Sequence, residues 1–178
     1  KYRIGNLWQI RLGDIARAIE SYHEALEMDP SHQETLHALD GLVHGKVEPV
    51  MAARVLEPIY ETGGEYAKLV DVLEVMVAHN DDAHARVELL HRIAQLHEQM
   101  IGNAHAAFDA YARALRDDSG NQLTLGHIER LAEITGTWEP LATAWSRRLL
   151  PASTASPGVS CRMQTAETLS GCRFRKLL

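Results

Sequence analysis

The chain repeats itself. Sliding Arg3 to Val43 forward by 89 positions carries Gly13 onto Gly102 (102 − 13 = 89) and brings two ungapped segments into register. Ile4, Leu7, Gly13, Ala18, Tyr22, Ala25, Leu26 and Leu36 fall on Ile93, Leu96, Gly102, Ala107, Tyr111, Ala114, Leu115 and Leu125. The stretches Ala18 to Leu26 and Ala107 to Leu115 share their small and aromatic positions, which decide how closely two helices approach. Self-similarity of this kind restricts the fold to units that bury their apolar faces against neighbouring units.

A weaker match at an offset of 72 carries Gly64, Tyr66 and Leu69 onto Gly136, Trp138 and Leu141. Two helix pairs of about 36 residues make such an offset, near the helix-pair repeat length. The remaining 17 residues (89 − 72) predict one extra short helix, placed between Asp40 and Tyr60. Apolar periodicity and breakers together predict nine helices, over 1–11, 14–28, 31–43, 47–61, 65–79, 82–100, 103–117, 121–134 and 138–149. Asp14, Ser31, Asp82, Asn103 and Asn121 are placed to cap the helices that follow them. In the 65–79 segment Tyr66, Leu69, Val70, Leu73 and Val77 form one stripe, with Val72, Val75 and Met76 beside it, so this helix is expected between two neighbours. Pro58 removes a backbone donor inside the 47–61 pattern, which predicts a kink or break there. No segment alternates with period two, so no strand is expected.

Composition bounds the function classes. With 46% apolar residues, 178 residues suffice for a well-cored domain. The formal charge of −6 gives no electrostatic reason to expect nucleic acid. Charged residues or histidines interrupt every apolar run before the roughly 20 residues a bilayer requires, so no membrane partner is expected. Beyond Leu150 the periodicity stops, and the domain reading is a helical repeat domain over 1–150 with a flexible or unstructured tail over 151–178. The tail holds both cysteines, Cys161 and Cys172, read as free thiols. Its abrupt composition is that of either a native extension or a shifted reading frame. Lys1 opens inside an apparent helix, so the chain is expected to be part of something longer, with a cytoplasmic location as the default.

Ala18, Tyr22, Ala25 and Pro30 carry the spacing of the second helix of a tetratricopeptide repeat. Gly5, Trp8 and Gly13 carry that of the first helix and turn, with one extra residue before Gly13. The second copy keeps Ala107, Tyr111 and Ala114, and has Ser119, Ala94 and His97 in place of Pro30, Gly5 and Trp8. On these residues the chain resembles the tetratricopeptide repeat family, as a segment of a larger protein of bacterial type. The match covers 3–30 and 92–119 and is architectural over 31–91 and 120–150. The resemblance implies an all-α superhelical solenoid of helix pairs, with right-handed stacking and a concave face lined by first helices. Tyr2, Arg3, Asn6 and Gln9 would then face inward in one copy, and His91, Arg92, Gln95 and Gln99 in the other. The partner-binding residues it implies are Asn6, Gln9, Arg92, Gln95 and Gln99. Asn6 and Arg92 are of types that hold a peptide carboxylate, although the accompanying lysines are absent. Trp8, Trp138 and Trp145 are read as packing residues.

Residue patterns for chemistry are sparse. His84, Glu88 and His91 share one helical face by spacing and could offer two imidazoles and a carboxylate to zinc, but no HExxH and no fourth ligand accompany them. Asp81-Asp82 and Asp117-Asp118 lie at predicted helix ends, where caps and turns account for them. There is no GxSxG, no glycine-rich phosphate loop and no catalytic cysteine context, so neither enzymatic activity nor a cofactor is expected. The leading expectation is a non-enzymatic scaffold that binds a protein or peptide segment in a groove. A structural spacer within a larger repeat protein and a histidine-rich metal- or ligand-binding domain are the alternatives.

Overall fold

The structure is a computed structural model and describes residues 1–45 and 47–136. These residues form eight helices and no strand. Helix α1 runs Tyr2–Leu7 and closes in a π turn, Trp8–Leu12. Then follow α2 (Ile15–Met28), α3 (Gln33–Val43), α4 (Pro49–Gly63) and α5 (Tyr66–Ala78). Helix α6 (Ala83–Leu96) also closes in a π turn, His97–Ile101, and α7 (Ala104–Asp117) and α8 (Gln122–Thr135) complete the set. The ninth expected helix, 138–149, and the expected tail lie outside the described residues.

The 89-residue register holds at the level of backbone detail. Both first helices end in a π turn followed by a glycine in the left-handed region, Gly13 at φ 69° and Gly102 at φ 76°. That conformation suits glycine, which has no Cβ to clash. A π turn takes up one residue more than an α turn. It therefore houses the additional residue seen before Gly13, and it does so in both copies. The next amide closes each end, Asp14 N–H donating to the Trp8 carbonyl at 3.1 Å and Asn103 N–H to that of His97 at 2.8 Å. The caps repeat too: Asp14 accepts from Arg17 N–H and Asn103 from Ala106 N–H, each at 3.1 Å. Thr35 and Thr124, buried at equivalent positions, donate their backbone N–H groups to His32 and Asn121.

One expected cap is corrected by this pattern. Ser31 does not cap α3; its N–H and hydroxyl both donate back to Asp29 Oδ1, at 3.0 and 2.7 Å. The helix starts two residues later, with His32 Nδ1 as the acceptor. The extra short helix expected between Asp40 and Tyr60 is instead α4, a full helix of 15 residues. It runs unbroken through Pro58. Pro58 and Arg54, whose carbonyl loses its partner, are both exposed, so water can serve the freed group.

The core follows the apolar stripes. Ala18, Tyr22 and Ala25 are buried with their counterparts Ala107, Tyr111 and Ala114. Gly5 sits so close to Tyr22 that a Cβ there would lie 2.6 Å from the ring. Helix α5 buries Leu69, Val70, Val72, Leu73 and Val77, with Tyr66, Val75 and Met76 packed at the margin, as a helix held between neighbours must. Each helix packs on those before and after it in the chain. Charged bridges add ties between elements further apart, α4 to α6, α5 to α7 and the π turn after α6 to α8.

Candidate protein-interaction face

Asn6 and Gln9 project from α1 and its π turn, Arg92 and Gln95 from α6, and Gln99 from the second π turn. The register pairs Asn6 with Gln95 (6 + 89 = 95), and Gln95 and Gln99 are exposed while Asn6 is half-buried. These three have no hydrogen-bond partner among the described residues. Gln9 and Arg92 are differently placed. Gln9 Oε1 accepts from the Tyr22 hydroxyl at 2.7 Å, and burial, then the neighbouring Tyr2, pushes that phenol up to about 12.

Arg92 is engaged by α4. Its guanidinium donates to Glu57 Oε1 and lies 3.0 Å from Glu61 Oε2. Burial works to lower its pKa, but the two carboxylates outweigh that and raise it. The i, i+4 spacing of Glu57 and Glu61 puts both acids on one stripe of α4, facing a single cation. Arg92 thus fastens α6 to α4, and only part of it faces solvent.

Three further arginines form two-pronged bridges, the geometry in which a planar guanidinium meets a carboxylate best. Arg86 donates to both oxygens of Asp117 at 2.9 Å, Arg113 to Glu74 at 2.6 and 2.8 Å, and Arg130 to Glu98 at 2.6 and 2.9 Å. The bonds from Arg86 and Arg130 hold the Asp117 and Glu98 carboxyls below their usual range. The acidic pairs at helix ends are structural: Asp82 caps α6, the Asp81 carbonyl accepts from Arg86, and Asp118 accepts from Gly120 N–H.

The histidines do not gather. His84 and Glu88 are exposed, with Nε2 and Oε1 3.6 Å apart. His91 turns away to bond Thr124 Oγ1 at 2.6 Å and to meet the Tyr111 ring edge-on at 5.4 Å. Among the described residues no three histidine, cysteine or acidic side chains converge where they could hold a metal ion. What forms instead is a stack: His127 lies parallel to Tyr111 with ring centroids 4.8 Å apart. Burial, then His127, lowers the His91 pKa, against a smaller opposing effect of Asp118. The Tyr111 hydroxyl is buried without a partner among the described residues. Glu98 stands at the position of Gln9 (98 − 9 = 89) and is drawn to Arg130, which explains why this tyrosine lacks the acceptor that Tyr22 has.

Trp8 packs at the margin of the core, with the Arg17 guanidinium 4.8 Å above its ring. Trp138 and Trp145 lie outside the described residues. Glu57 and Glu61 engage Arg92, Glu98 engages Arg130 and His127 stacks on Tyr111, and none of the four was anticipated from sequence. The signal for the first two was present, as an acidic i, i+4 pair one repeat length ahead of Arg92.

No protein-family model matches the chain, and no curated protein matches it. The tetratricopeptide resemblance rests on the residues themselves. Among the described residues no helix is long and apolar enough to cross a membrane.

Proposed function

We propose that the chain is a solenoid of tetratricopeptide-like helix pairs that serves as a non-enzymatic scaffold, binding an extended protein segment along a concave groove. One observation supports this reading above the others: the two copies share cap, π turn, left-handed glycine, buried threonine and buried tyrosine at a single offset. Units that repeat in such detail and touch mainly their neighbours are the substance of repeat scaffolds, whose extended surfaces bind partners. Within that reading Asn6, Gln95 and Gln99 are the contact residues, because their amides are uncommitted. An amide offers both donors and an acceptor, which suits the backbone of an extended peptide. Gln9 contributes through its remaining amide protons, and Arg92 sets the spacing of the helices beneath.

A spacer reading has its own support. Glu57 and Glu61 answer the charge of Arg92 internally, which leaves less of the face to attract a charged partner. Selection of displayed random peptides on the immobilised chain separates the two. The scaffold reading expects enriched peptides that lose about tenfold in affinity on the Asn6→Ala/Gln95→Ala/Gln99→Ala variant, a loss of about 1.4 kcal/mol. Peptides that bind the variant equally well would place the site elsewhere, and no enrichment at all would favour the spacer.

A further inference from the structure

Among the described helices that a side chain caps, one is unlike the rest. Asp14, Asp82, Asn103 and Asn121 cap α2, α6, α7 and α8 with an oxygen. Helix α3 starts on a ring nitrogen instead: His32 Nδ1 accepts the Thr35 backbone N–H at 3.3 Å and lies 2.8 Å from the Thr35 hydroxyl. A backbone N–H only donates, so Nδ1 must carry no proton and the ring must hold its hydrogen on Nε2. The imidazolium ion has two N–H groups and no acceptor. Protonation therefore removes the cap, and it sets a positive charge at a helix N-terminus, the end that disfavours one. Asn121, in the place of His32 (32 + 89 = 121), does the same work for α8 with an oxygen that does not titrate.

Thr35 makes that loss matter, because it is buried and water reaches its amide only if the first turn of α3 opens. The Thr35 hydroxyl can turn round and accept from the imidazolium. Its amide cannot, and keeps only the i−3 bond to the His32 carbonyl. From α1, the Tyr2 ring faces His32 at 5.5 Å and brings no formal charge. Asp29, in the turn from α2, is exposed, and its Oδ1 already takes the Ser31 N–H and hydroxyl, which hold its pKa down more than His32 does. From α4, which also packs on α3, Tyr60 meets Asp40 two turns beyond His32, and Glu57 and Glu61 are engaged by Arg92. Glu34 and His37, on α3 itself, are exposed. We propose that α3 begins on a pH-gated cap, which the neutral His32 imidazole closes and its protonation opens, so that the joint between α2 and α3 loosens in mild acid. Imidazole is the one side chain whose ordinary charge change falls between pH 5 and 8, and this sets the interval. Tyr2 couples the joint to the first helix pair, since its ring rests on both His32 and Tyr22. The inference stands on the cap and not on the groove reading, so either can fail without the other.

The test is amide hydrogen exchange of the full chain by nuclear magnetic resonance at about pH 7.5 and about pH 5, across the histidine range, with rates corrected for the intrinsic effect of pH. The variant is His32→Asn, which gives α3 the cap that α8 has, with circular dichroism to verify that it keeps its helices. On acidification, protection of Thr35 and Leu36 should fall about fivefold further in the wild type than in the variant, the loss that a missing cap causes. The comparison is made at α3 itself, so any acid effect of His91 on the whole chain is common to both proteins and cancels. Nitrogen shifts of the His32 ring give a second reading that needs no variant: at pH 7.5 the hydrogen should sit on Nε2. An equal loss of protection in wild type and variant, or a ring that carries its hydrogen on Nδ1, would overturn the proposal.

Discussion

The Tyr22 hydroxyl donates to Gln9 at 2.7 Å, while Tyr111, its counterpart 89 residues on, buries a hydroxyl that has no acceptor among the described residues. The same ring in the same place is thus a satisfied polar group in one copy and an unsatisfied one in the other. Tyr22→Phe should destabilise the chain by about 0.5–1.5 kcal/mol, the net worth of one hydrogen bond. Tyr111→Phe should be neutral or stabilising, because it removes a buried group that bonds to no described residue. Urea denaturation of both variants decides this, and equal losses would contradict it.

Gly5 touches the same ring from the other side. Replacing it with alanine brings the usual helix-propensity gain of up to about 1 kcal/mol. The new methyl would also press into Tyr22, and overpacking of that kind costs about 1–3 kcal/mol. Gly5→Ala is expected to be destabilising on balance, in contrast to alanine substitution of an open helical glycine such as Gly126, which has free space around it. Thermal melts of the two variants should move in opposite directions.

Pro58 offers the reverse case. It lies in an unbroken helix on the exposed side, where no packing requires its ring. Pro58→Ala restores an amide donor to the Arg54 carbonyl and should stabilise the chain by about 1–3 kcal/mol. A lower melting temperature would mean that the proline shapes the packing of α4 in a way its exposure conceals.

Acidification should act through His91 before it acts through any carboxylate. Burial and His127 depress the folded-state pKa below the ordinary 6.5, so the unfolded chain takes up this proton more readily. The contribution is fully present above about pH 6.5 and is lost as the pH falls toward the depressed folded value. Glu98 and Asp117, whose folded pKa values are lowered, contribute at neutral pH and lose that contribution below about pH 4.5. Melting temperatures between pH 5 and 7 should therefore fall on acidification, and His91→Gln should flatten the slope. A slope unchanged in that variant would assign the effect to other groups.

Much of this arrangement was readable from residue order, and the exceptions share a cause. Asp14, Asp82, Asn103 and Asn121 cap where capping chemistry puts them, because a cap depends on residues only two or three positions apart. Ser31 failed because Asp29, two residues earlier, competes for the same hydroxyl and amide, leaving His32 to do the capping. The arginine bridges were invisible for a different reason. Pairing Arg92 with Glu57, 35 residues away, requires knowing which helices abut, and helical periodicity is silent about that. The candidate face shows both effects: Asn6, Gln95 and Gln99 were placed on their helices by spacing alone, while the engagement of Gln9 and Arg92 depends on neighbours that spacing does not reveal.

The arginine bridges between helices join residues only 31 to 39 positions apart. Every such tie is therefore confined to a neighbourhood of about one repeat, and no described bridge binds the beginning of the chain to its end. Pulled from its two ends, a protein built this way gives up one layer before the next feels the load. Its extension under tension would proceed as a staircase of small releases at modest force, and on relaxation each step could re-form from its nearest intact neighbour as a template. On the solenoid reading, the same locality would make the chain a spring whose compliance grows with every layer added.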